Sequence, residues 1–220
     1  ACGSSNVLEY FGYRFTNQTD QLKQSIAKAN ICFMHAPLFH PAMKNVAPIR
    51  KELGVKTFFN MLGPMVNPAF PARQVVGVFS LELARQYGYL YQQTSKSFAI
   101  LHSVDGYDEI SLTRGTKVFS NMGERMWEPN DFGFPPLHEA EIAGGETVEA
   151  SARIFIDVLE GRGTPAQNNV VIANAAAALW AADQKLSLAH ARGVAMDALR
   201  SGAALRSFKM LLEINQKEAR

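Results

Sequence analysis

The stretch SFAILHSV at 97–104, followed directly by DGYDE at 105–109, decides the fold class of this chain. The first part contains the apolar run FAIL at 98–101 and ends at an Asp-Gly turn signal, and this pattern predicts a strand. A similar run, VVGVF at 75–79, precedes it, and a helix is predicted between the two over 81–93. Strands that alternate with helices favour an α/β fold with a mostly parallel sheet.

Further elements extend this pattern in both directions along the chain. A third buried strand is predicted at 31–34, and shorter, more polar strands at 110–112, 117–120 and 125–127. Helical periodicity and end signals predict further helices at about 7–11, 19–30, 41–53, 149–160, 168–182, 188–201 and 204–214. We therefore expect one α/β domain over 1–220, with a mostly parallel central sheet flanked by helices and a small irregular β region near 110–128.

Composition narrows the classes of function. Of the 220 residues, 47% are hydrophobic and 19% charged, and the net charge is only +2, so the charge balance does not favour a nucleic-acid partner. No apolar run approaches the ~18 residues that span a membrane. The two cysteines, Cys2 and Cys32, form no Cys-Cys or Cys-His motif, which suits a reducing cytoplasm. The chain begins at Ala1 within what reads as mid-domain sequence, so we expect further sequence upstream.

The DGYDE segment is the first candidate site. Asp108 and Glu109 follow a predicted buried strand, where open α/β sheets place ligands. Adjacent carboxylates suit Mg²⁺, which prefers oxygen ligands and often joins one or two carboxylates to a substrate phosphate. The alternative is a solvated polar loop without a metal.

Two other segments could bind substrate. HAPLFHP at 35–41 forms a stiff, partly polar rim between a predicted strand and a helix, or a purely structural turn. Arg50 could bind a planar carboxylate through two parallel hydrogen bonds, or it could be an ordinary surface arginine. Gly63 could let a ligand approach the backbone, or simply make the turn before Pro64.

Taken together, these segments resemble anthranilate phosphoribosyltransferase, a glycosyltransferase of tryptophan biosynthesis. The resemblance covers nearly the whole chain in the family's order, and its most specific part is the block from Arg50 to Pro64. The other matching segments are GSSNVLE at 3–9, HAP at 35–37, FHPAM at 39–43, NP at 67–68, DGYDE at 105–109, GG at 144–145, VLEG at 158–161 and NAA at 174–176.

The resemblance implies both a fold and a reaction. The fold is the C-terminal domain type of nucleoside phosphorylases and phosphoribosyltransferases. In the reaction, the amine of anthranilate displaces diphosphate from phosphoribosyl pyrophosphate (PRPP), with Mg²⁺ as cofactor and a cytoplasmic homodimer as the full-length enzyme.

The resemblance also implies roles for particular residues. Asp108 and Glu109 match the Mg²⁺ pair, and Arg50 matches the contact to the anthranilate carboxylate. The remaining substrate-binding candidates are His35, Ala36, Pro37 and Gly63, which would line the anthranilate channel, and Ser4, which would lie near the phosphates. No catalytic acid or base is assigned.

Two departures from the family pattern are a methionine at position 43, where some members have an aromatic residue, and Ala150, which replaces a frequent asparagine. The family also has an N-terminal helical region, a Gly-rich diphosphate loop and a Lys-His-Gly-Asn segment, none of which occurs in these 220 residues. We therefore expect the chain alone to bind PRPP weakly and to be inactive.

Two other readings of the sequence are a non-catalytic nucleic-acid-binding relative and an enzyme like the pyrimidine nucleoside phosphorylases. The low net charge and the presence of Arg50, Asp108 and Glu109 weigh against the first reading. The blocks at 39–41 and 60–64 weigh against the second.

Overall fold

The computed structural model describes residues 3–40 and 63–217. The chain divides into two compact units. The first comprises Ala1–Phe70, Glu146–Ala152 and Ala204–Arg220, and the second comprises Pro71–Gly145 and Arg153–Ala203. Two compact units can belong to one domain, so a single α/β domain over 1–220 stays a prediction.

Four strands of the second unit form one sheet in the order β1-β2-β3-β4: β1 (Arg73–Gly77), β2 (Ser97–Ser103), β3 (Thr116–Ser120) and β4 (Gly123–Trp127). Strand β2 pairs in parallel with β1 and antiparallel with β3, and β3 and β4 form an antiparallel hairpin. The α/β class is confirmed, but the described sheet is mixed rather than mostly parallel. The reason is that residues 104–115 return the chain beside β2 without a crossover helix.

The predicted irregular β region near 110–128 is therefore part of the main sheet. Its strands β3 and β4 are hydrogen-bonded in register to β2 and to each other, and Val118 of β3 lies opposite Leu101 of β2. The predicted strand at 110–112 is wrong, since these residues form no ladder.

Within the described residues there are eight α-helices. They are α1 (Ser4–Tyr10), α2 (Thr19–Ala29), α3 (Ala36–Phe39), α4 (Leu81–Gln92), α5 (Val148–Leu159), α6 (Pro165–Ala182), α7 (Leu188–Arg200) and α8 (Ala203–Lys217). Short 3₁₀ helices lie at Gly63–Val66, Pro129–Phe132 and Glu139–Glu141. The helix predicted at about 41–53 lies outside the described residues. No helix in the described part of the chain has the length and apolar character needed to cross a bilayer.

Helix α6 forms much of the core of the second unit. Four of its alanines, at positions 173, 176, 177 and 181, are fully buried, and small side chains let a helix approach a sheet closely. Trp180 from the same helix meets Trp127 of β4 edge to face, with ring centroids 5.0 Å apart. The helix begins at a capping box in which Thr164 and Gln167 satisfy each other's backbone N–H groups.

In the first unit, helix α2 ends at Asn30, which adopts a left-handed conformation with φ of 59°. The strand predicted at 31–34 is wrong, since these residues form no ladder and Ile31 is 39% exposed. Cys32, in the same run, is half-buried. The apolar character of this run serves side-chain packing instead, because the Phe33 ring packs against Tyr13 with centroids 5.5 Å apart.

Candidate functional site

The segment after β2, residues 104–109, is named here the acidic loop. Asp108 and Glu109 are exposed and line a cavity of about 380 Å³. The other lining residues are Val75, Gly77, Leu101 and Asn174. Strands β1 and β2 are parallel, and the loop leaves the carboxyl end of β2, where α/β sheets place ligands.

Asp105, the third carboxylate of the loop, has a different task. It accepts hydrogen bonds from the hydroxyl groups of Ser111, at 3.3 Å, and Thr113. These two bonds tie the start of the loop to the segment that follows it. Asp105 therefore holds the loop together, and the two carboxylates in the cavity remain the candidates for binding a cation.

Ser103, the last residue of β2, holds the backbone of the acidic loop. Its N–H donates to the Tyr107 carbonyl at 3.0 Å, and its hydroxyl donates to the Glu109 carbonyl at 2.6 Å. The Thr116 hydroxyl lies 3.0 Å from Ser103 Oγ and can donate to it. Ser103 is fully buried, so these bonds are shielded from water. The sequence alone does not single out this residue, because a serine inside a strand has no distinctive pattern.

Gly77, the last residue of β1, lies directly against the acidic loop. A Cβ atom built on this glycine would lie 1.6 Å from the Asp108 carbonyl oxygen, a separation that no real side chain tolerates. A glycine is therefore needed for close approach of two backbones. Gly77 was predicted only as part of a buried strand, since its contact is 31 residues away along the chain.

The cavity suits Mg²⁺ by the chemistry of its oxygen donors. Mg²⁺ retains most of its waters and binds through one or two carboxylates together with substrate phosphates, so it does not need a complete protein cage. Asp108 and Glu109 supply two such carboxylates to one cavity. Among the described residues, no group of three or more His, Cys, Asp or Glu side chains could hold a metal ion without substrate oxygens.

His35 lies in the first unit and lines a different cavity, of about 500 Å³. Its ring stacks on Phe15, with centroids 4.5 Å apart and planes 26° apart. The other lining residues are Glu9, Gly12, Tyr13, Arg14 and Leu38. Ala36 and Pro37 begin the short helix α3 beside it and are exposed.

Tyr13 packs against the Phe15 ring of this stack. It is 2% exposed and packs edge-on against Phe15 with centroids 5.2 Å apart. Burial raises the pKa of its phenol, because the charged phenolate loses solvation, although a hydrogen bond with the Phe33 backbone opposes the shift. The His35 ring is thus held by aromatic packing.

Ser4 and Gly63 belong to neither of these two cavity linings. Ser4 is exposed in the first turn of α1. Gly63 begins a 3₁₀ helix and is exposed, and among the described residues a Cβ atom there would meet nothing within 4 Å. Arg50 lies outside the described residues. The structure thus brings Asp108 and Glu109 together, and it places His35 in a separate lining.

His102 is 8% exposed, and its Nδ1 lies 3.0 Å from the Val78 carbonyl oxygen. This bond joins β2 to the residue that follows β1.

The sequence profile of a family described as "Glycosyl transferase family, a/b domain" matches residues 1–205. The chain belongs to this family. Among similar curated proteins of the family, the anthranilate phosphoribosyltransferase of Christiangramia forsetii is 58% identical over 214 residues, which is 97% of this chain and 64% of the relative. That of Cytophaga hutchinsonii is 54% identical over 209 residues, covering 95% of this chain and 64% of the relative.

Solved structures of anthranilate phosphoribosyltransferases are also similar to this chain. The anthranilate phosphoribosyltransferase of Thermus thermophilus is 29% identical, with a TM-score of 0.90 over 97% of this chain and 64% of that one. The Saccharomyces cerevisiae enzyme in complex with PRPP and Mg is 26% identical, with a TM-score of 0.88 over 98% of this chain and 61% of that one. The resemblance to this family is confirmed, and the chain spans 64% of the length of these two curated relatives.

Proposed function

We propose that the gene product containing this chain transfers a phosphoribosyl group from PRPP to the amine of anthranilate. The products are N-(5-phosphoribosyl)anthranilate and diphosphate, and the reaction belongs to tryptophan biosynthesis. The observation that carries the proposal is the pair Asp108 and Glu109, exposed in one cavity beside the parallel strands β1 and β2. The similarity to anthranilate phosphoribosyltransferases at 58% and 54% identity supports the choice of substrates for this cavity.

Asp108 and Glu109 would hold Mg²⁺ in this reaction. When bound, the cation neutralises the negative charge that builds up on the departing diphosphate. The task of the chain is to keep both carboxylates in place before the substrate arrives. Ser103 and Gly77 suit that task, because the first bonds the loop backbone and the second leaves room for it.

The anthranilate end of the site would use residues from the other segments. Arg50 would bind the carboxylate, since a guanidinium donates two parallel hydrogen bonds to it. His35, Ala36, Pro37 and Gly63 would line the aromatic channel. Ser4 would lie near the phosphates of PRPP.

We assign no general base, because positioning the two reactants can supply much of the rate acceleration. The reactive amine of anthranilate must meet the C1 atom of the ribose ring as its bond to diphosphate loosens. The residues named above act by holding each reactant in that orientation.

We further propose that the enzyme works as a cytoplasmic homodimer without a nucleic-acid partner. The net charge of +2 supports the last point, because an extended phosphate backbone is bound by a strongly basic surface.

The experiment that tests this function uses the natural gene product that contains the chain. Purified protein is given PRPP and Mg²⁺ with either anthranilate or uridine plus phosphate, and phosphoribosyl anthranilate is measured by its fluorescence. We expect Mg²⁺-dependent product with anthranilate and no cleavage of uridine. Cleavage of uridine without transfer to anthranilate would instead assign a nucleoside phosphorylase.

The variant Arg50→Ala sharpens this test. Loss of the guanidinium should raise the KM for anthranilate at least about 10-fold, in line with the cost of losing a charged hydrogen bond. The KM for PRPP should change much less. Equal changes in both KM values would remove Arg50 from the anthranilate site.

A further inference from the structure

We propose that Asn174 is a positioning residue, whose side-chain amide fixes the end of the acidic loop so that Asp108 and Glu109 present a preformed cation site. The inference rests on the proposed function for the identity of the cation and the substrate. Its structural basis is independent of that function, because it lies in the hydrogen bonds of one side chain.

The Asn174 amide pairs with both backbone groups of Ile110, the residue directly after Glu109. The Ile110 N–H donates to Asn174 Oδ1 at 3.0 Å, and Asn174 Nδ2 donates to the Ile110 carbonyl at 2.8 Å. One side chain thus makes the two bonds that a neighbouring strand would make. A side chain of helix α6 therefore takes the place of a strand partner at the residue that follows the acidic loop.

The orientation of this amide is fixed by a third bond. Asn174 Nδ2 also donates to the Val170 carbonyl, one turn earlier in α6, at 2.9 Å. A flipped amide would point its oxygen at two carbonyl oxygens, so only the observed orientation satisfies all partners. Both N–H groups and the oxygen are used, which leaves the side chain one stable position.

Asn174 itself lines the cavity that contains both carboxylates. The distance in sequence between the amide and its partner is 64 residues, so this contact joins two remote parts of the second unit. Residues that orient metal ligands typically change metal affinity about 10- to 100-fold when they are mutated. Asn174 has the same relation to Asp108 and Glu109, since it holds the backbone that carries them.

The test compares Asn174→Leu with the matched control Asn168→Leu in the natural gene product. Asn168 lies in the same helix, and its amide also bonds a backbone carbonyl, that of Gly163 at 3.0 Å, but neither residue lines the cavity of Asp108 and Glu109. Two concentrations are measured for each variant: the Mg²⁺ concentration giving the half-maximal rate at saturating PRPP, and the KM for anthranilate. Binding of Mn²⁺ in the presence of PRPP and without anthranilate is followed by electron paramagnetic resonance as a readout independent of turnover.

For Asn174→Leu, we expect the Mg²⁺ requirement to rise about 10-fold or more and Mn²⁺ binding to weaken equally, with the anthranilate KM unchanged. For the control, both metal readouts should stay at the wild-type value. If Asn174→Leu merely lowers the maximal rate with an unchanged Mg²⁺ requirement, the residue has only a structural role and the proposal fails. If the wild type binds Mn²⁺ but transfers nothing to anthranilate, the proposed function fails while the role of Asn174 stands or falls on the Mn²⁺ data.

A second variant covers the case in which Asn174→Leu does not fold. Ser103→Ala removes the hydroxyl bond to the Glu109 carbonyl, and the substitution deletes a single atom. It should raise the Mg²⁺ requirement in the same direction by a smaller factor. An unchanged requirement and unchanged Mn²⁺ binding in this variant would overturn the idea that loop anchoring controls the cation site.

Discussion

The acidic loop and the His35 segment show two ways of holding side chains that a substrate would meet. The acidic loop is anchored by polar bonds to its backbone, from Ser103 and Asn174, which leaves its two carboxylates exposed in the cavity. The His35 ring is instead held by a stack on Phe15, supported by Tyr13. Hydrogen bonds fix position and direction, whereas ring stacking fixes a plane and tolerates sliding. We therefore expect mutations in the first region to have the larger and more specific effects.

The largest expected effect is on the carboxylates themselves. Asp108→Asn combined with Glu109→Gln should reduce Mg²⁺-dependent turnover at least about 100-fold, since loss of direct ligands should exceed the effect of outer residues. The measurement is a Mg²⁺ titration of the initial rate. Asp105→Asn keeps a side-chain oxygen that can accept from Ser111 and Thr113, so it should raise the Mg²⁺ requirement far less than the double variant. An unchanged titration in the double variant would remove both residues from the metal site.

The next effect tests how closely β1 approaches the loop. Gly77→Ala places a methyl group against the Asp108 carbonyl, so we expect a loss of about 1–3 kcal/mol in the free energy of unfolding. The Mg²⁺ requirement should rise in the same variant, because the loop must move. Urea denaturation measures the first quantity, and the rate titration measures the second.

Gly193→Ala is the matched control for that substitution. Position 193 lies inside α7, and a Cβ atom there meets no atom of the described residues within 4 Å. Alanine should stabilise this helix by about 0.5–1 kcal/mol. Similar losses in both variants would show that the contact between Gly77 and Asp108 is not the cause.

A smaller effect is expected from removing the ring stack. Phe15→Leu keeps an apolar side chain but loses the aromatic pairing with His35, which should cost about 0.5–1.5 kcal/mol of unfolding free energy. If the stack also orients His35 for anthranilate, the KM for anthranilate rises and the Mg²⁺ requirement stays constant. A change in the Mg²⁺ requirement would contradict the division of tasks between the two regions.

The smallest effect appears only at alkaline pH. Because burial raises the pKa of Tyr13, folding favours the neutral phenol. This contribution to stability is complete below the ordinary value of 10.0 and is lost as the pH rises through the raised value. Above about pH 10, the free energy of unfolding should therefore fall less steeply with pH in Tyr13→Phe than in the wild type. If the free energy of unfolding depends on pH equally in both proteins, the ionisation of Tyr13 is not linked to unfolding.

Most helices and the strands of the sheet could be predicted from local patterns. The helices at 19–29 and 81–92 and the strand at 97–103 follow apolar periodicity and clear end signals. The strand predicted from the apolar run at 31–34 is wrong, because four apolar residues can pack in an aromatic cluster as well as in a sheet. The mixed sheet was missed because strand direction depends on the connection at 104–115, which has no helical pattern to read.

The candidate site was predictable to a similar degree. Asp108 and Glu109 stand out because two adjacent carboxylates follow a buried strand, and the resemblance implies that they bind Mg²⁺. The groups that hold them were not predictable. Gly77, Ser103 and Asn174 meet the loop through contacts between segments, and a single serine, glycine or asparagine carries no signal for such a contact.

The position of residues 104–115 limits how the chain can vary in length. This connection joins β2 to β3, so it sets the register in which Val118 lies opposite Leu101. Successive side chains of a strand point to opposite faces, and a shift of one residue would turn the buried face of β3 outward. The two-residue turn at 121–122 imposes the same constraint on β4, since Trp127 lies opposite Thr116, so insertions and deletions should be rare at both places.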